Sequence, residues 1–181
     1  MQPNVTHKQL EQHAASVRRS IITMLEQAGS GHTAGALGLA DIMTALYFAV
    51  LHISPENPDW AERDLFVMSN GHCAPVLYAT LAERGFFPKS ELATLRRFSS
   101  RLQGHPERQV LPGVETTSGP LGSGLSQASG MAYHVRHLHP QPQRFIYCLM
   151  GDGELDEGNI WEAAMFVGQY NLGNLIRILD S

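Results

Sequence analysis

Cysteine is scarce in this chain: Cys73 and Cys148 are the only two in 181 residues. They form no CxxC pair and both stand among apolar neighbours, which excludes a disulfide framework and a cysteine-based metal site. Buried, reduced thiols in a cytoplasmic protein are the expectation. The sequence also lacks an excess of one charge. Thirteen basic against seventeen acidic residues give a net charge of −4, with no block of like charges, so nucleic acid is a poor partner. No apolar run approaches the ~20 residues that span a bilayer, and no membrane segment is expected. Met1 to Thr6 is polar and lacks the charged-then-apolar pattern of an export signal. Internal repeats and low-complexity tracts are missing too; the nearest thing to a linker is His139-Pro140-Gln141-Pro142-Gln143. The length suits one domain, 1–181, with a full core.

What is present is an alternation of short apolar runs and longer amphipathic ones. Thr6 with Gln9 can form a capping box, after which Leu10, Ala14, Val17, Ile21, Leu25 and Ala28 mark one face of a helix ending at Gly29. A second apolar helix is expected from about Leu39 to Leu51. Asp64 to Met68 has the pattern of a strand, followed by a helix from about Ala74 to Arg84 that closes at Gly85. Ser90 is expected to cap a short helix to Phe98, and periodicity is then lost until Gly122. A further helix should run from about Leu125 to Leu138. Phe145 to Met150 forms a second strand, Asn159 to Tyr170 a helix closed by Gly173, and Leu175 to Leu179 a third strand. The pattern predicts an α/β fold with a mostly parallel sheet, strands near 64–69, 144–150 and 174–179, and helices on both faces.

In such sheets ligands gather beyond the carboxyl ends of the strands. Asp152, between Gly151 and Gly153, stands there and suits a hard cation such as magnesium beside a diphosphate; a plain turn is the competing reading of Gly-Asp-Gly. A calcium loop is excluded, because Glu157 holds the sixth position and Ala163 the twelfth. His72 in Ser69-Asn70-Gly71-His72 leaves the first strand, where it can bond a phosphate oxygen or cap the next helix. His32 lies in the small-residue loop from Ser30 to Gly35, either enclosed against a ligand or merely exposed. The unpatterned stretch has the length of a functional loop. It holds Gln103-Gly104-His105-Pro106 and the run Thr116 to Gly124, whose glycines 119, 122 and 124 are in the wrong order for a dinucleotide fingerprint. That run leads into a helix, so its N–H groups are expected to face a ligand. His137-Leu138-His139 has no ligand-spaced neighbours and is read as helix-end solvation.

The string Gly151-Asp152-Gly153-Glu154-Leu155-Asp156-Glu157-Gly158, with Trp161-Glu162-Ala163-Ala164, resembles the first half of the thiamine diphosphate motif. The order Ser30-Gly31-His32, Ser69-Asn70-Gly71-His72, Gln103-Gly104-His105-Pro106, Thr117-Ser118-Gly119-Pro120-Leu121-Gly122 and Gly151-Asp152-Gly153-Glu154 resembles the start of the transketolase family over essentially the whole chain. Leu102 to Pro106 and Gly113 to Thr117 are most similar to the split form, in which this domain is a separate subunit.

The resemblance implies the thiamine diphosphate-binding fold and a two-carbon ketol transfer between sugar phosphates, with thiamine diphosphate and Mg2+. It matches His32 and His105 to substrate-contacting histidines and His72 to a diphosphate contact. Gly119, Pro120 and Leu121 match a cofactor-lining segment, Gly153 a diphosphate contact, Glu157 an acid near the subunit interface, and Asp152 the metal ligand. Thr33 replaces a proline frequent in the family. The family's metal-binding asparagine would fall after Ser181, and the glutamate that activates the aminopyrimidine belongs to a second domain. The fold is therefore expected to be incomplete at its C-terminal end, with a pyrimidine-binding partner subunit and an oligomer needed for activity. A truncated, inactive product and a deoxyxylulose phosphate synthase are the alternatives; the set His32, His72 and His105 argues against the latter.

Overall fold

Thr6 opens the first helix: its hydroxyl accepts the Gln9 N–H at 3.3 Å, and the Gln9 side chain accepts the Thr6 N–H at 2.9 Å. The capping box expected from the sequence is formed. The structure, a computed structural model, describes residues 5–138 and 144–181; the expected linker at 139–143 lies outside the described residues. Helix α1 (His7–Ala28) ends on Gly29 in the left-handed conformation, φ +66°, and buries Ala14, Val17, Ile21, Met24 and Leu25.

The expected second helix starts earlier and is broken. It comprises α2 (Ala34–Gly38) and α3 (Ala40–Ala45), followed by a π turn at Leu46–Val50. Gly35, which reads as loop in the sequence, lies inside α2, where a Cβ would stand 2.8 Å from Cys73 Sγ. Its role is close packing rather than turning. In the π turn the Leu51 N–H reaches the Leu46 carbonyl at 2.7 Å, and Leu46, Tyr47 and Phe48 stay buried.

Strand β1 (Leu65–Met68) leads through a 3-10 turn at Gly71–Cys73 into α4 (Ala74–Arg84), which closes on Gly85 at φ +97°. The helix expected from Ser90 is instead one 3-10 stretch, Lys89–Thr94, preceded by Pro88 and without a side-chain cap. Arg96 then takes a left-handed backbone, φ +60°, and Ser99 another, φ +61°. So short a run cannot offset helix nucleation, and the chain stays irregular to Gly122 as the sequence suggests. Next come α5 (Ser123–Tyr133), finished by a π turn at His134–Leu138, then β2 (Ile146–Gly151), α6 (Gly158–Gln169) and β3 (Leu175–Asp180). Helix α6 is not closed by Gly173. Asn171 takes the left-handed position, φ +50°, as the amide side chain permits.

The strands are parallel in the order β1-β2-β3, with Leu65 opposite Ile146 and Ile146 opposite Leu175. Alternation then divides the sheet into two faces. Phe66, Met68 and Leu149 join the core of α1, α3 and α4, whereas Leu65, Val67, Ile146, Cys148, Met150 and Leu175 join α5 and α6. Helices cover both faces, as the near-continuous apolar strands require. Strand β3 pairs with β2 alone among the described residues. Its Ile176 and Leu179 are exposed, as are Trp161 and Met165 on α6. Cys73 and Cys148 are buried and free; burial pushes the Cys73 thiol up to about 11 and raises that of Cys148 as well.

Candidate functional site

Adjacent parallel strands deliver the loops after β1 and β2 to the same edge of the sheet, beyond their carboxyl ends. Met68 lies opposite Leu149, so Ser69 to His72 run beside Met150 to Asp152. A Cβ added to Gly151 would stand 3.8 Å from Asn70 Cβ. Against this edge the long irregular segment is pinned by Ser118, whose Oγ donates to the Met68 carbonyl at 2.5 Å and whose N–H donates to the Pro106 carbonyl at 3.1 Å. Ser118 and His105 both pack on Gly71, where a Cβ would lie 2.7 Å from Ser118 Cβ and 3.2 Å from His105 Cδ2.

His32 arrives from the other side. Gly31 turns the chain after α1 at φ +135°, and a Cβ there would overlap the Leu25 side chain. This glycine is needed both for its dihedral and for its space. The turn brings the His32 ring edge-on to His72, centroids 5.1 Å apart at 62°. Burial holds the His105 imidazole below its ordinary value, and His72, Arg96 and His32 push the same way. Three histidines far apart in sequence therefore share one mouth. His72 caps nothing: Asn70 and Cys73 are the cap residues of the turn and of α4, and neither cap is made by a side chain.

Asp152 and Gly153 are exposed at the exit of β2, with Asp152 Oδ1 accepting the Gly153 N–H at 2.8 Å. Glu157, also exposed, precedes α6. Gly119 is half-buried while Pro120 and Leu121 are exposed; the Leu121 carbonyl accepts from Asn159 Nδ2 at 3.4 Å. No group of three or more His, Cys, Asp or Glu able to hold a metal occurs among the described residues. His137 rests on Tyr133, ring centroids 4.8 Å apart; His139 lies outside the described residues.

One expectation needs correcting. The amides that open α5 are not free for a ligand: Gly122 N–H donates to Glu154 Oε1 at 2.8 Å, Ser123 N–H to the Pro120 carbonyl at 3.3 Å, and Gly124 N–H to Ser69 Oγ at 3.2 Å. The buried Glu154 carboxylate occupies the position foreseen for a ligand. Two residues escaped the sequence reading. Glu154 stands in the Gly-Asp-Gly-Glu string, but nothing local marks it as buried. Arg96 lies beside His105 and reaches Ser30 Oγ at 3.4 Å; its left-handed backbone has no signature in an arginine.

The family model for the transketolase thiamine diphosphate-binding domain matches residues 10–181. The chain belongs to this family. The 6-deoxy-6-sulfo-D-fructose transketolase subunit SqwG of Clostridium sp. (strain MSTE9) is 44% identical over 170 residues, covering 93% of this chain and 61% of that protein. Human transketolase is 44% identical over 172 residues, 94% of this chain and 27% of its own length. The structure of transketolase from Leishmania mexicana superposes with a TM-score of 0.90 at 38% identity, covering 95% of this chain and 27% of that one. This transketolase domain thus spans about six tenths of the subunit relative and about a quarter of the single-chain enzymes. The α/β fold read from the sequence is the family's fold.

Proposed function

We propose that this chain supplies the diphosphate- and metal-binding part of a transketolase that moves a two-carbon ketol unit between sugar phosphates. The observation that carries the proposal is the convergence of His32, His72 and His105 at the edge where β1 and β2 deliver Asp152. Thiamine diphosphate and Mg2+ suit the residues present. Asp152 offers an exposed hard oxygen, and magnesium takes few carboxylates along with phosphate oxygens and water. The Asn70 Oδ1 atom is buried without a partner, and Cβ atoms at Gly119 and Gly153 would meet open space, which leaves room for backbone to approach a ligand. In this reading Asp152 holds the metal, while His72 and Gly153 contact the diphosphate. Gly119, Pro120 and Leu121 line the cofactor, and Glu157 lies towards a subunit interface.

When bound, the cofactor's thiazolium supplies the carbanion chemistry. His32 and His105 orient the sugar and share protons with its hydroxyls; a lowered His105 value favours the neutral ring near pH 7, which accepts a proton at one nitrogen while donating a hydrogen bond from the other, and returns the proton from the imidazolium so formed. A pyrimidine-binding partner subunit completes the site in an oligomer, a reading favoured by the subunit status of the Clostridium relative. The two free buried thiols agree with a cytoplasmic setting and the match over residues 10–181 with one domain.

A coupled assay with pentose phosphates tests this. The chain alone should give no measurable ketol transfer, the chain with a pyrimidine-binding subunit should turn over, and Asp152→Ala should abolish that turnover. Turnover that survives Asp152→Ala, or no turnover with any such subunit, would contradict the proposal.

A further inference from the structure

Glu154 is 1% exposed, and its carboxylate accepts three hydrogen bonds from three different segments. Ser69 Oγ, leaving β1, donates to Oε1 at 2.5 Å. The Gly122 N–H, at the end of the glycine-rich run, donates to the same oxygen at 2.8 Å. The Gly151 N–H, one residue before Asp152, donates to Oε2 at 2.8 Å. Ser69 Oγ passes the chain on by accepting the Gly124 N–H at 3.2 Å. A carboxylate taken out of water is costly unless its oxygens are satisfied; here both are, and α5 begins at the same place, where its dipole favours negative charge. Each segment tied to Glu154 carries proposed cofactor contacts: His72 after Ser69, Gly119 to Leu121 before Gly122, and Asp152 after Gly151.

We infer that Glu154 is a positioning residue, a buried carboxylate strut that fixes these three loops in their binding arrangement before the diphosphate and metal arrive. It touches neither ligand. The inference rests on the proposed cofactor role for its functional consequence, whereas the strut itself stands on the hydrogen bonds. Preformed loops lower the ordering cost of binding, so loosening them should raise the dissociation constant more than it lowers stability.

The isosteric change Glu154→Gln discriminates well. All three ligands of the carboxylate are donors, and a glutamine must present its NH2 either to Gly151 N–H or to Gly122 N–H and Ser69 Oγ–H, so at least one loop loses its tie. Three measurements on the whole chain suffice: amide hydrogen exchange at Gly122 and Gly151 without ligand, thermal midpoint, and calorimetric titration of thiamine diphosphate with Mg2+ well below that midpoint. Ile21→Val, in the core of α1 away from the site, serves as a control for stability alone. Glu154→Gln should speed exchange at Gly122 or Gly151 about tenfold or more and raise the dissociation constant about fivefold or more, with Ile21→Val unchanged in both. Unaltered exchange at both glycines would overturn the strut, whether or not the wild type binds cofactor. Faster exchange with a wild-type dissociation constant would overturn its positioning role. A wild-type chain that binds no thiamine diphosphate, with or without Mg2+, would count against the proposed function instead, leaving the exchange result to decide on Glu154. If Glu154→Gln fails to fold, Ser69→Ala removes one of the three donors and must show the same pairing of faster Gly122 exchange and weaker binding, or the inference fails.

Discussion

At the scale of single residues, His105 is the most informative group because its surroundings all push its proton affinity the same way. Burial lowers its affinity for a proton, and His72, Arg96 and His32 lower it further. Above the ordinary histidine range both folded and unfolded chains carry it neutral, and stability is independent of it. As pH falls through that range the unfolded chain binds a proton that the folded chain does not, so stability declines until the pH passes below the folded value. Ring-proton NMR should show His105 titrating below a histidine in a denatured peptide, and the urea midpoint should fall less between pH 7 and 5.5 in His105→Gln than in the wild type. A His105 ring that titrates at or above the ordinary value would contradict this placement. Histidine types and order were legible in the sequence, and the family resemblance together with the strand-end rule also implied that the three converge, although no local pattern carries that convergence. Arg96 and Glu154 were less legible still. The bond from Ser69 to Glu154 spans 85 positions, and no periodicity reports on such a pair.

At the scale of elements, the strands and long helices were legible because each has a repeated physical signal. Apolar runs gave β1, β2 and β3 to within about two residues, the usual fuzziness of element ends, and cap residues gave both ends of α1. Errors fell where the signal is shared or brief. Gly35 looked like loop and is a helix-packing position; Ser90 looked like a cap and belongs to one 3-10 stretch. The glycine-rich entry to α5 offers a paired test. Gly122 has φ +79°, and a Cβ there would overlap Asn159 Oδ1. Gly130, inside α5, would place a Cβ in open space. Gly122→Ala should therefore cost at least ~2 kcal/mol, while Gly130→Ala should gain about 0.5–1 kcal/mol from helix propensity. Urea unfolding measures both. Equal effects of the same sign would show that the turn into α5 is not held as described.

For the whole molecule, the parallel sheet with helices on both faces brings the β1 and β2 exits together, and the irregular segment from 95 to 122 closes over them from one side. The opposite boundary is β3, where Ile176 and Leu179 are exposed alongside Trp161 and Met165 of α6. With Asp152 as the proposed metal ligand, magnesium would fill the rest of its near-octahedral shell with diphosphate oxygens and water. Titration calorimetry of thiamine diphosphate into the purified chain, with and without Mg2+ and repeated on Asp152→Ala, tests the central claim most directly. The account predicts saturable binding that requires Mg2+, weaker than micromolar in the chain alone, and lost in Asp152→Ala. No binding by the wild-type chain, or binding that Asp152→Ala leaves unchanged, would contradict it.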